Sequence, residues 1–437
     1  MTRHRYVALA VLVVTALLVG GLVVMVRAQS TGGPVVRPVI SGLPSSPSPR
    51  PTAAAPTTAP TSPVPTSTAR TPGPPPGTVG VEDRYRQRYD GRYVGWDDLV
   101  DAGQPLPTIT RECRSEWRAA TKDEDLDWDK AGYLCLDALS GKGFKPQGVG
   151  GSGATEGYLI GTEAAGGRNL VVVSSYSTAR EPGLRFPHTP GRTEATRLTV
   201  LDLDRGRYNY VELVRPVGRN AFTALDSHGS GFAWVGQYMY SSSRSTLWMY
   251  NADDLMEIDG RYVLPAVARW SVTGDGGFSS IGIDRSRRPT MITGVNYSQN
   301  GTAWAQSFEL DAAGRLRQGS STAENELKLT STFGPGPSAV RSSWSSIVPG
   351  SNFQGIGTAG PYRLVNSSSL KLDGRRIGDT VVVQRRNTVI ARFAMPDENI
   401  ESVYVDYRRS RYVTVTEHGQ QFLFWMPLDH LIARAER

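Results

Sequence analysis

Five polar residues stand near the heads of short apolar runs, and their types could support chemistry: Gln147, Asp226, His228, Gln354 and Glu401. Asp226 and His228 are two apart, so on a strand both side chains would leave the same face. A neutral imidazole beside a carboxylate can act as a base or ligate a metal. Asp226 and Glu401 could also form the acid and base of a glycoside hydrolase, whose inverting members hold two carboxylates about 6.5–9.5 Å apart. The plainer reading is that these side chains hydrogen-bond neighbouring strands together. The sequence favours it, because no full set of converging carboxylates is evident. Asp204, Asp284, Asp311 and Asp406 each close an apolar strand before an Arg-bearing turn, which is turn chemistry. No P-loop, H-E-x-x-H, G-x-S-x-G elbow or Asp-rich calcium loop occurs, so neither a cofactor nor a metal is expected.

Cys113 and Cys135 are the only cysteines. With no C-x-x-C pair and no third thiol, metal and redox chemistry are disfavoured, and a single disulfide is expected. Closing a loop of this size contributes roughly 3 kcal/mol in the chain-entropy model. Residues 81–142 around it are charge-rich and hold Trp96, Trp117 and Trp128, with a helix expected over ECRSEWRAATKD. They read as a stapled extension leading into the main domain.

The elements that must position the polar residues begin near Lys145. From there, runs such as NLVVVSSYS, RLTVLDLD, STLWMYNADD and QFLFWMPL alternate with Gly, Ser, Asp and Asn turns. No amphipathic helix of helical period interrupts them. A strand opening on Gln-Gly occurs twice, at Gln147-Gly148 and Gln354-Gly355, and the Asp-then-Arg turn recurs between. Hairpins repeating without helices predict an all-β domain over 143–437, a β-propeller whose sheets have only short, protected edges. Innermost strands starting near Gln147, Ala224, Ser279, Gln354 and Glu401 make about five blades, or six if 320–350 holds a degenerate one. The last strands, 402–428, are expected to close the ring against residues near 146–160. Gln147, Asp226, His228, Gln354 and Glu401 would then line the mouth of the central channel. Trp234, Trp248, Trp270, Trp304, Trp344 and Trp425 could stack on sugars, but their spacing fits core packing better.

The N-terminal region reads as an address. Residues 6–26 form an uncharged run of 21 residues that would span roughly 30 Å as a helix, the thickness of a bilayer core. Arg3 and Arg5 before it keep that short tail cytoplasmic. Residues 1–28 are thus a transmembrane anchor, with the C-terminal domain outside the cell; cleavage near Ala28 would secrete the chain instead. Residues 29–80 hold 14 of the 29 prolines and no aromatic residue, the composition of a disordered Pro/Thr/Ser-rich linker. The net charge of +7 belongs almost wholly to this region, since no acid precedes Glu82 while six arginines do. The rest is nearly neutral, which argues against nucleic acid as a partner. Arg outnumbers Lys 42 to 6, as translation from a GC-rich genome produces.

The segments KGFKPQGVGGSG, ALDSHGSGFAWVGQYMYSSS, FSSIGIDRSRRPTMITGVNYS and NFQGIGT together resemble a family of uncharacterised secreted or membrane-anchored proteins of actinobacteria, of the Streptomyces type. That family's hairpin motif H-x-G-G-x-x-W-x-G-x-Y-L-Y is met here by His228 to Tyr240, with Ser230 interrupting the Gly-Gly pair. The resemblance covers about 143–430 and implies a propeller-like fold and export, but no activity. The expectation is therefore a binding or scaffold module at the cell surface, held by residues 6–26 in the membrane. Its partner would be a wall polysaccharide or a surface protein. A glycoside hydrolase acting on such a polysaccharide is the alternative.

Overall fold

The computed structural model describes residues 89–437 apart from 122–125, 141–143, 153–167, 178–195, 218–220, 226, 244, 274–276, 286–287, 298–301, 319–327, 350–351, 373–374 and 397–398. These all fall in the compact unit Pro75–Arg437. The anchor at 6–26, the cleavage position at Ala28, the linker 29–80 and Asp226 lie outside the described residues. Among the described residues, no helix is long and apolar enough to cross a membrane.

The fold is mostly β, built from antiparallel ladders of four strands. Phe144–Gly151 leads Leu170–Ser177, Thr196–Asp202 and Arg207–Pro216. Ser230–Val235 leads Tyr238–Ser243, Thr246–Asn251 and Arg261–Thr273. Ser280–Asp284, Phe353–Ala359 and Ile400–Asp406 lead the remaining three. Val, Leu and Tyr dominate the second and third strands because both faces of each ladder are covered. Leu170–Ser177 is buried along its whole length, so its apolar residues run continuously instead of alternating. The first two ladders merge where Val263 lies parallel to Glu212.

The five leading strands pack against one another in a cycle, and their small residues permit it. A Cβ on Gly282 would land on the Ile356 carbonyl oxygen of the next leading strand. Gly231, at φ +81, would press one onto the Ile281 amide. The Ser280 and Ser402 hydroxyls meet at 3.4 Å although their strands are not neighbours in the cycle, so the middle is narrow.

Three expectations need correction. The second leading strand starts at Ser230, and Phe222–Ala224 instead pairs with the outer strand Arg207–Pro216 through Val214 and Ala224. The 328–341 hairpin extends the edge of Arg261–Thr273. Strand Phe422–Pro427 pairs with Gly132–Cys135, not with residues near 146–160. Gly132 fits there because the Trp425 indole occupies the space a side chain would need.

That late pairing joins the 81–142 region to the last ladder. Helix Arg111–Ala120 starts under a Thr110 cap, whose hydroxyl accepts from the Cys113 amide at 3.1 Å. Cys113 is disulfide-bonded to Cys135 with Cα atoms 6.1 Å apart. One turn on, Trp117 stacks on Tyr133 at 4.5 Å and meets Phe422 and Phe424. Trp234, Trp248 and Trp270 are buried in the core as their spacing suggested, and Trp304 and Trp425 are half-buried. The Trp344 side chain lies outside the described residues.

Candidate functional site

All five leading strands begin at the same end of the cycle. Ser402 donates to the Val149 carbonyl at 3.4 Å, and a Cβ on Gly355 would strike Ser402, so the strand heads stand level. At that level the ladders slip register. The first does so between Pro146 and Gly148, the fourth between Phe353 and Gly355, and the fifth after Glu401. A bulge takes one side chain out of the alternation and re-aims it, which here selects Gln147 and Gln354. The repeated Gln-Gly pair is the sequence trace of this: a side chain to aim, then a residue small enough for the next strand to approach.

Gln354 Nε2 donates to Glu401 Oε1 over 2.7 Å. Glu401 is 0% exposed, and burial pushes its carboxyl well above the usual range, with the charges of Glu417 and Asp379 adding to the rise. Its Oε2 meets no hydrogen-bond partner among the described residues, nor does Nε2 of Gln147, which is 4% exposed. Buried polar atoms rarely stay unpaired, so this end has hydrogen-bonding capacity to spare.

His228 is not on a strand. It belongs to the turn between Leu225 and Ser230, where its amide donates to the Ser243 hydroxyl at 3.0 Å and the hydroxyl of Thr196 donates to the Ser227 carbonyl. Its half-buried ring stacks on Tyr176 at 4.1 Å and 25°. Asp226, expected on the same face, lies outside the described residues. Tyr176 donates to Glu417 Oε1 at 2.9 Å, the other Glu417 oxygen meets His418 at 3.3 Å, and Lys145 meets His418 at 3.2 Å.

Of the predicted residues, then, the fold unites Gln354 with Glu401 and sets Gln147 and His228 at the same end. Sequence reasoning missed Tyr176, Glu417, His418 and Lys145. Tyr176 and Glu417 are 241 positions apart, and no motif links them. No group of three or more His, Cys, Asp or Glu among the described residues could hold a metal ion. A separate cleft of about 290 Å³ beside the disulfide is lined by Thr110, Glu112, Glu116, Asp137 and Gln420, an acidic lining that alone identifies no ligand. No protein-family model matches the chain, and no curated protein matches it.

Proposed function

We propose that the chain is an exported five-bladed β-propeller that acts as a binding or scaffold module at the cell surface, tethered by residues 6–26 and a Pro/Thr-rich linker. Its ligand is a wall polysaccharide or another surface protein, taken at the end where the leading strands begin. Support for the propeller comes from four-stranded ladders whose first strands pack in a cycle. The anchor and its orientation rest on the 21-residue apolar run behind Arg3 and Arg5. The observation that carries binding over catalysis is the complete burial of Glu401. A general acid must come within hydrogen-bond reach of the bond it protonates, and Glu401 is sealed behind Gln354.

Co-sedimentation of the full-length chain, in detergent, with purified actinobacterial walls tests this. Retention on the walls without release of new reducing ends is expected. Release of reducing ends that Asp226→Asn abolishes would replace binding with hydrolysis.

A further inference from the structure

An amide side chain offers one acceptor oxygen and two N–H donors, and its inner partner decides which of them meets a ligand. Gln354 is half-buried, with the fully buried Glu401 behind it. Because Gln354 Nε2 is given to Glu401 Oε1 at 2.7 Å, the amide oxygen is left on the side away from the acid. We propose that this end of the cycle binds an uncharged, hydroxyl-bearing sugar unit. Gln354 Oε1 accepts from a ligand hydroxyl, the His228 ring lies against the sugar's C–H face, and Glu401 is the positioning residue that orients the amide. The inference rests on the binding-module reading above.

Further observations point to the same class of ligand. The Glu417 carboxylate stands close enough to Glu401 to raise its pKa, so a phosphate or uronate entering here meets like charge. Lys145 Nζ lies 3.2 Å from His418 Nδ1, and the other nitrogen of that ring meets Glu417, so this lysine is tied into the same network. Burial also raises the Glu401 carboxyl well above its usual range, which favours its uncharged form. Meanwhile His228, stacked on Tyr176 and pinned through its amide, is a fixed aromatic surface rather than a swinging base. Gln147 adds a second amide whose Nε2 has no partner among the described residues and can donate to a ligand oxygen or a bridging water. Were the pairing reversed, with the Glu401 O–H donating to the Gln354 carbonyl, the amide would turn its N–H groups outward and select acceptors, anions among them.

Calorimetric titration of the full-length chain in detergent decides, with two probes: a neutral N-acetylglucosamine oligosaccharide and polyglycerol phosphate. The neutral probe should bind. Gln354→Ala should weaken it by about threefold to tenfold, the value of one uncharged hydrogen bond. Glu401→Ala should weaken it similarly, whereas Glu401→Gln, which keeps an oxygen for the Gln354 amide, should restore it. Glu401→Met, which fills similar space without an oxygen, should not restore it, whereas a purely packing contribution of Glu401 would survive that change. Preference for polyglycerol phosphate, or neutral binding indifferent to Gln354→Ala, overturns the inference. If intact walls bind but the neutral probe does not, the ligand class is wrong while the binding module stands. If the walls do not bind either, both readings fall.

Discussion

The two ends of the leading strands differ in what their polar side chains are: ion pairs dominate one, and amides beside a buried acid mark the other. Where these strands finish, Arg168 meets Asp97 at 2.9 Å, Asp101 at 2.7 Å and Asp202 at 3.7 Å. Nearby Asn169 donates to Asp406 at 2.9 Å, and Arg409 bridges Asp204 to Asp406. Opposite charges are matched there, and the turn aspartates also accept from backbone amides, as Asp202 does from Asp204 and Arg205. Where the strands begin, an amide meets a buried acid, and uncharged or acidic polar atoms of Gln147 and Glu401 make no hydrogen bond among the described residues. The finishing end also has such atoms, Asn169 Oδ1 among them, but its charges are paired. Charge neutralised by the fold itself stabilises turns and leaves little for a ligand. Unmatched capacity costs stability, which is the usual signature of a site that does something else.

Predictions that break or sharpen this contrast run from large to small. Arg168→Ala takes the cation from the nearly buried Asp202, which keeps its two backbone amides, and should cost about 3 kcal/mol in denaturant unfolding. Ligand affinity at the other end should not change; a loss there would mean that the two ends are not independent. Replacing Cys113 and Cys135 together by Ser should remove roughly 3 kcal/mol, because the disulfide fastens the strand that completes the last ladder. Thr110→Ala should cost about 1 kcal/mol through the lost helix cap, measured as a shift in unfolding midpoint.

Glu401→Gln should have the opposite sign. The folded carboxyl is held above its unfolded pKa, so the stability it allows is fully present below the ordinary carboxylate range. That stability drains as pH rises through the window up to the folded pKa. The amide has no such loss. The variant should therefore match the parent at acid pH and gain on it progressively as pH rises, in thermal melts across a pH series. A constant difference at every pH would refute the buried-acid account.

How far these features could be read in advance follows their range along the chain. The two Gln-Gly strand heads were legible because each is a local pattern, a side chain to aim followed by a residue without one. The turn aspartates were legible for the same reason, although in the first ladder the residue capping the turn is Asp202 rather than Asp204. His228 was misjudged as a strand residue. Its neighbour Gly229 sits at positive φ, which bends the chain out of extension before Ser230 is reached. Glu417 and Tyr176 were invisible as a pair, since residues from the first and last ladders meet only once the cycle closes.

The sequence by itself determined the short, doubly covered strands, the turns between them, the disulfide pairing and a near-neutral folded region behind a positively charged N-terminal stretch. Each follows from composition or from neighbours a few residues apart. Tertiary structure alone decided that Gly132–Cys135 completes the last ladder, that Gln354 donates to Glu401, and that Glu401 is sealed from solvent. Those outcomes depend on which strands stand side by side in the cycle and how closely their backbones approach. Burial and partner then set protonation, so a glutamate that reads in the sequence as a candidate catalytic acid becomes, in the fold, the support of a neighbouring amide.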